Sequence, residues 1–232
     1  MTTGPVVVVG AGGHAREVFQ ILLSCRHIGM DVEPLGFIDE APWAEGALLE
    51  GFPILGGLEW FAGAAQPLPA AVCALGNPST CRSLSARVRA YGVEFASAIS
   101  PAAWVADTAR IGRGSMVFPN VVVSTGVVLG EHVALNVAAT VSHDTMVGDF
   151  SSIGPGAHLA GNVTVGRACF IGMGANVIHG VSIGDEAVIG AGATVLQDVP
   201  ARVTAVGVPA RVIGPASALP LGDGRSAGRV RT

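Results

Sequence analysis

The chain has 232 residues, of which 50% are hydrophobic and 33 are glycine, and a formal net charge of −4. So few charges on so apolar a chain exclude a disordered protein, and the lack of a basic run, apart from scattered arginines near the carboxyl end, argues against nucleic acid as a partner. The length suits one large domain or two small ones.

The opening apolar run, Val6 to Val9, is too short for a signal peptide and is broken by Gly10, Gly12 and Gly13. No other run free of polar or glycine breaks reaches membrane-spanning length. Cys25, Cys73, Cys81 and Cys169 fall at no metal-ligand or redox spacing. A cytoplasmic protein with reduced thiols, off the membrane, is expected.

Val6 to Val9 reads as a buried strand that enters Gly10-Ala11-Gly12-Gly13-His14-Ala15, and a helix carrying Val18, Ile21 and Leu22 on one face follows. A second strand, Pro34 to Ile38, ends in Asp39-Glu40. Phe52 to Leu55 leads through Gly56-Gly57 into a short helix around Trp60. An apolar run at Ala70 to Leu75 precedes Gly76-Asn77-Pro78-Ser79 as a helix start, and that helix runs through Leu84 and Val88 to a stop at Gly92. A last strand near Val93 to Ile99 is closed by Ser100-Pro101, a domain boundary. Strands separated by helices imply a small Rossmann-like parallel sheet over residues 1–100, with a ligand crevice at the carboxyl ends of its strands.

From Val105 to Val195 a β-branched residue or leucine recurs every six residues without a slip, and a small or apolar residue follows each after four. That period fits neither an amphipathic helix nor an alternating strand, and hairpin turns would break its phase. It marks a parallel β-helix of hexapeptide repeats over 101–214. Gly112, Gly130, Gly148, Gly166 and Gly184 add an eighteen-residue period, one triangular coil, and are expected at a corner that needs a positive φ. Residues 215–232, rich in Gly, Ala, Ser and Arg, read as a disordered tail.

Gly10, Gly12 and Ala15 fit the G-x-G-x-x-G/A fingerprint, in which bare backbone approaches a phosphate at a helix N-terminus. A ligand-free tight turn is the plainer reading of the same residues. The stretch before the hexads is too short for a two-lobed dinucleotide fold, which disfavours a nicotinamide dehydrogenase and leaves room for one nucleotide or a nucleotide-linked substrate.

Taken together, Gly10-Ala11-Gly12-Gly13-His14, Gly36-Phe37-Ile38-Asp39, the hexads, Ser142-His143-Asp144, Gly190-Ala191-Gly192-Ala193 and Gly207-Val208-Pro209-Ala210-Arg211 resemble the sugar acyltransferases of the sialic-acid O-acetyltransferase type. That group includes N-acetyltransferases of nucleotide-linked 4-amino sugars, and the resemblance spans residues 5 to 214. It implies a left-handed β-helix, a homotrimer, acetyl-coenzyme A as co-substrate in the groove between neighbouring β-helices, and a nucleotide-activated amino sugar as acceptor.

Carried over residue by residue, the resemblance makes His143 the general base, Asp144 its support and Asn136 an active-site asparagine. An imidazole near neutral pKa suits removal of a proton from an attacking amine or hydroxyl. Gly161 would offer its N–H to the thioester oxygen. Ser152 stands where several relatives carry a histidine nine residues after the base, Ala191 would leave room for pantetheine, and Arg211 would meet a phosphate. Gly12 and Gly13 would shape the pyrophosphate turn, with His14 and Asp39 in the acceptor site. His158 and His179 are candidate neighbours of the groove, though His179, like His132, reads as structural.

The hexad phase is never interrupted, so no long loop leaves the β-helix and the acceptor must be held by the amino-terminal domain. Metal chemistry is disfavoured, because γ-class carbonic anhydrases on the same solenoid use histidines five residues apart and none are so spaced here. Three readings stay open: N-acetylation of a nucleotide-linked 4-amino-4-deoxy sugar in bacterial surface-glycan synthesis, O-acetylation of sialic acid or a related sugar, and a scaffolding solenoid without catalysis.

Overall fold

A computed structural model describes residues 4–216. An α/β domain with a parallel sheet leads into a left-handed parallel β-helix, and among the described residues no helix is long and apolar enough to cross a membrane. The tail expected from 215 lies, from residue 217 on, outside the described residues.

The first domain is built from β1 (Gly4–Val9), α1 (Gly13–His27), β2 (Val32–Ile38), β3 (Leu48–Leu49), β4 (Phe52–Gly56), α2 (Trp60–Gly63), β5 (Ala70–Cys73) and α3 (Pro78–Arg89). The sheet order is β3-β4-β2-β1-β5, parallel throughout except for β3, which pairs antiparallel with β4. Val6 to Val9 are buried on both faces of β1, as a central parallel strand requires. On α1 the buried residues Ala15, Val18, Phe19, Leu22 and Cys25 form one stripe at three- and four-residue spacing. At the start of α3, Asn77 accepts from the Ser79 and Thr80 N–H groups at 3.0 and 3.2 Å with Pro78 in the first turn, and Gly92 at φ +77° turns the chain beyond its end.

The strand expected across Val93 to Ile99 is divided between the two domains. Phe95 bridges Ala71 at the edge of the first sheet, whereas Ala98–Ile99 pairs with Met116–Val117 as the first rung of the solenoid. Continuous apolar character could not reveal that the partner changes midway.

The solenoid has three faces of two-residue strands. Face 1 begins at Ala98–Ile99, face 2 at Trp104–Val105 and face 3 at Arg110–Ile111, and successive strands of a face pair in parallel eighteen residues apart until Val188–Ile189, whose partner Thr204–Ala205 stands sixteen residues on. Face 2 holds six strands and face 3 five. Face 1 ends in an antiparallel hairpin, Val203–Val206 with Arg211–Pro215. The second residue of each strand points inward, so Val123, Leu135, Val141, Ile153 and Ile171 fill a continuous core. Ser115, Thr145 and Ser151 are buried, and each hydroxyl donates to a carbonyl of the next coil at 2.7–3.1 Å.

The recurring glycines have a different cause from the expected one. Positive φ falls two residues later, on Gly114, His132, Phe150, Ala168 and Glu186. Gly112, Gly130, Gly148, Gly166 and Gly184 are bare because the next coil leaves no room: a Cβ on Gly112 would meet the Gly130 carbonyl oxygen and lie 2.7 Å from the Glu131 nitrogen. The left-handed corners are thus carried largely by non-glycine residues, whose strain of roughly 1 kcal/mol each the stacked coils offset.

The first domain sits on face 1. Helix α1 packs against Ala98–Ile99, and its stripe joins Met116, Phe118 and Ala134 in one apolar core. Along the corner between faces 3 and 1 run the ion pairs Glu94–Arg113 at 2.6 Å, Arg89–Glu131 at 3.1 Å and Arg82–Glu186 at 3.4 Å. All are exposed and each contributes about 0–1 kcal/mol, so they set register more than strength.

Candidate active site

Two sets of residues carry chemistry, one on each domain. In the first, β1 is flanked by β2 on one side and β5 on the other, so the chain reverses its winding direction at the carboxyl end of β1. That switch point opens a crevice. Gly10 leaves β1 at φ +110°, with the Ala74 carbonyl oxygen 3.3 Å from where a Cβ would stand. Gly12 is the extended N-cap of α1 and brings no side-chain cap, so the first N–H groups of the helix remain available to an anion.

Beside the glycine turn, the carboxyl ends of β2 and β4 border a cavity of about 660 Å³ whose walls include Asp39, Trp43, Glu45, Leu55, Gly57 and Glu59. Asp39 Oδ1 accepts the Ala41 N–H at 2.8 Å and the Trp43 Nε1–H at 3.3 Å, which fixes the indole at the rim. Trp43 has no marker in the sequence beyond its closeness to Asp39.

His14 is the second residue of α1, and its ring stacks on Phe118 of the solenoid with centroids 5.0 Å apart. Its Nε2 is buried without a partner, and burial pushes the pKa down to about 4. The ring therefore lies at the junction between the domains.

The second set lies on the corner between faces 2 and 3. His143 and Asp144 are adjacent, and on a strand they would point to opposite sides. Here Asp144 occupies the left-handed region at φ 58°, and the turn brings its Oδ2 to 3.0 Å from His143 Nδ1. Both side chains are exposed, His143 at 57%.

Each rests on a glycine. Asp144 Oδ1 lies 2.5 Å from the site of a Cβ on Gly126, one coil back. The His143 ring lies over Gly161, one coil on, where a Cβ would meet Nε2 and come within 2.5 Å of Cε1. With Nδ1 taken by Asp144, Nε2 is the nitrogen left for a reacting proton. The Gly161 N–H donates to no protein acceptor among the described residues.

The remaining expected residues are spread along the prism. Asn136 is on the corner between faces 1 and 2, where its Oδ1 accepts the Val137 N–H at 2.7 Å, and no hydrogen bond joins it to His143. Ala191 is on that same corner three coils on, and Gly207 to Ala210 extend the stack through Thr194 N–H to Gly207 O at 3.0 Å and Ala210 N–H to Thr194 O at 2.8 Å. Arg211 opens the last strand and turns its Nη1 to the Ala210 carbonyl. Ser152 is half-buried on face 1. His158 on face 2 holds Thr140 Oγ1 at 2.9 Å through Nδ1, and His179 is exposed two coils beyond His143 on the same corner. Sequence reasoning missed Gly126, and the only signal for it is that it stands eighteen residues before Asp144.

Among the described residues no group of three or more His, Cys, Asp or Glu is placed to hold a metal ion, and all four cysteines are free and buried.

Two family models match the chain, bacterial transferase hexapeptide (six repeats) at residues 144–177 and 162–197 and the PglD N-terminal domain at residues 5–88. No curated protein matches. Among solved structures, the chain is similar to the acetyltransferase domain of PglB from Neisseria gonorrhoeae FA1090 in complex with acetyl coenzyme A, with 32% identity and a TM-score of 0.82 over 91% of this chain and 100% of that one. PerB from Caulobacter crescentus, in complex with CoA and GDP-perosamine, shares 35% identity at a TM-score of 0.80, over 92% of this chain and 99% of that one. WeeI from Acinetobacter baumannii AYE shares 29% at a TM-score of 0.81, over 91% and 100%.

Proposed function

We propose a function from one premise: the chain belongs to the hexapeptide-repeat sugar acyltransferases that include the N-acetyltransferases of nucleotide-linked 4-amino sugars. The reaction is transfer of acetyl from acetyl-coenzyme A to the amino group of a nucleotide-linked 4-amino-4-deoxy sugar, in the cytoplasm, for surface-glycan synthesis. The observation that carries it is the His143–Asp144 pair seated on Gly126 and Gly161, with Nε2 left free.

Transfer is direct. The sugar amine attacks the thioester carbonyl, His143 Nε2 takes the proton that the nitrogen sheds, the C–S bond breaks, and the proton passes to the departing thiolate. Asp144 holds the ring with Nδ1 protonated and supports the imidazolium. The Gly161 N–H serves the oxyanion. Pyrophosphate lies on the glycine turn at Gly12 and Gly13 beside His14, and the nucleoside end enters the cavity beside Asp39.

A homotrimer completes the site. Within one chain the crevice lies against face 1, and all of face 2 separates the corner carrying Asn136 from the corner carrying His143. An acceptor held by one subunit therefore reaches the His143 of a neighbour, with Asn136, Ser152, Ala191 and Arg211 lining the donor groove. The exposed Trp104, Val137, Met173, Ile178 and Leu196 on face 2 and its two corners suit such contacts.

The test is thiol release from acetyl-coenzyme A against a panel of UDP-, dTDP- and GDP-linked 4-amino sugars, with CMP-sialic acid and free sialic acid. Turnover with one amino sugar is expected. Turnover with sialic acids alone moves the assignment to O-acetylation, and no release with any acceptor rejects catalysis.

A further inference from the structure

Two imidazoles hold the seam between the domains, and neither uses a hydrogen bond to do so. At one end His14 stacks on Phe118. At the other, His132 lies flat on Phe150 at 4.8 Å and 6°, and edge-on to Phe95 at 4.5 Å, with Gly114 bare beneath it. His132 is only 2% exposed, and both of its ring nitrogens, like His14 Nε2, are buried without a partner. Buried polar atoms are nearly always paired, so three orphans on one seam call for a reason.

We propose that His14 and His132 are positioning residues: as neutral rings they clamp the amino-terminal domain onto face 1, and protonation of either ring loosens that clamp. The proposal rests on the seam alone and stands whatever the acceptor of the reaction. Its consequence for catalysis is that the crevice keeps a fixed place relative to the solenoid only while both rings are uncharged.

The charged groups around each ring are few. His14 has Glu17 on its own helix, 4.0 Å from Nδ1, and the neighbouring Arg16 is tied to Glu50; Phe118, its contact from the solenoid, carries no charge. His132 has Glu131 beside it, Asp149 on the next coil, Arg89 from α3, and Arg113, which is bonded to Glu94. Glu131 and Asp149 favour the charged ring and Arg89 opposes it, but burial outweighs all three and pushes the pKa from 6.5 to about 4, as burial alone does for His14.

Each ring thus has a lower pKa when docked than when exposed. Its contribution to docking is complete above 6.5 and declines as the pH falls from 6.5 toward 4. Between pH 7 and pH 5 the docking equilibrium should weaken by about 20-fold for each ring.

The experiment is hydrogen exchange on the full chain at pH 7 and pH 5, corrected for the intrinsic rate, read on α1 and on residues 114–121 of face 1. Protection there should drop by more than 100-fold in the parent and stay level in H14F/H132F, which keeps the rings but cannot take up protons. Unchanged protection in the parent, or an equal drop in the variant, overturns the proposal. Should the variant not fold, NMR of the parent decides: on acidification, protonation of His14 and His132 should coincide with loss of the contacts from each ring to Phe118 and Phe150, and protonation with those contacts kept overturns the proposal.

Discussion

A methyl group added at Gly161 should disable the enzyme without unfolding it. In Gly161→Ala the new Cβ would stand 2.5 Å from His143 Cε1, where ordinary carbon contacts need about 3.5–4.0 Å, so the ring must retreat by roughly 1–1.5 Å. That displacement breaks the 3.0 Å bond to Asp144 and carries Nε2 off its position. A shift of about 1 Å in a reacting group lowers turnover by roughly 100-fold, equivalent to about 2.7 kcal/mol of barrier. The fold should tolerate the change: the φ of Gly161 lies outside the left-handed region, and an exposed ring can swing into water. Stability should therefore move by no more than about 1 kcal/mol. Acetyl-coenzyme A-dependent thiol release would be measured beside a thermal melt for Gly161→Ala, His143→Ala and the double variant. The double should be no slower than His143→Ala alone, because both changes remove one function. Turnover in Gly161→Ala within threefold of the parent would refute the assignment of the ring's position over Gly161 as the working one.

His143→Ala should lower kcat by about 10²–10⁴ while calorimetry shows acetyl-coenzyme A binding nearly unchanged; equal loss of both would make the residue a binding group. Gly112→Ala provides the contrast, since its Cβ meets backbone of the next coil that cannot swing aside, and urea unfolding should register a loss of about 3 kcal/mol or more. Asp39→Ala frees the Trp43 indole, and should raise the acceptor KM about tenfold with kcat kept, as judged by initial rates and by altered tryptophan fluorescence on nucleotide addition. Asn77→Ala removes the cap of α3 and should cost about 1 kcal/mol in a thermal melt, with acetyl-coenzyme A binding unaffected.

The solenoid was legible because its geometry is local and repeats: six residues make one strand and one corner, so the inward position announces itself sixteen times from Val105 to Val195. Several other features depend on what lies eighteen residues away. The floors beneath His143 and Asp144 are single glycines in other coils, and the left-handed corners at His132, Phe150 and Glu186 carry no residue that advertises a positive φ. Asp144 reaches His143 only because of such a corner, which spacing alone permits but does not require. The docking of the first domain on face 1 left even less trace. Met116 and Ala134 occupy outward positions that Val128 and Met146 fill in the open on face 3, and nothing in their identity separates covered from bare.

A stack of parallel rungs has no natural end, and its last strands would offer unpaired backbone to any similar edge, the route by which such prisms join into filaments. The closing hairpin prevents this on face 1. Val203–Val206 takes the edge left by Val188–Ile189, and Arg211–Pro215 then runs back antiparallel along it, a direction that cannot template another parallel coil. These two short strands thereby cap the repeat and oppose its growth from one molecule into the next.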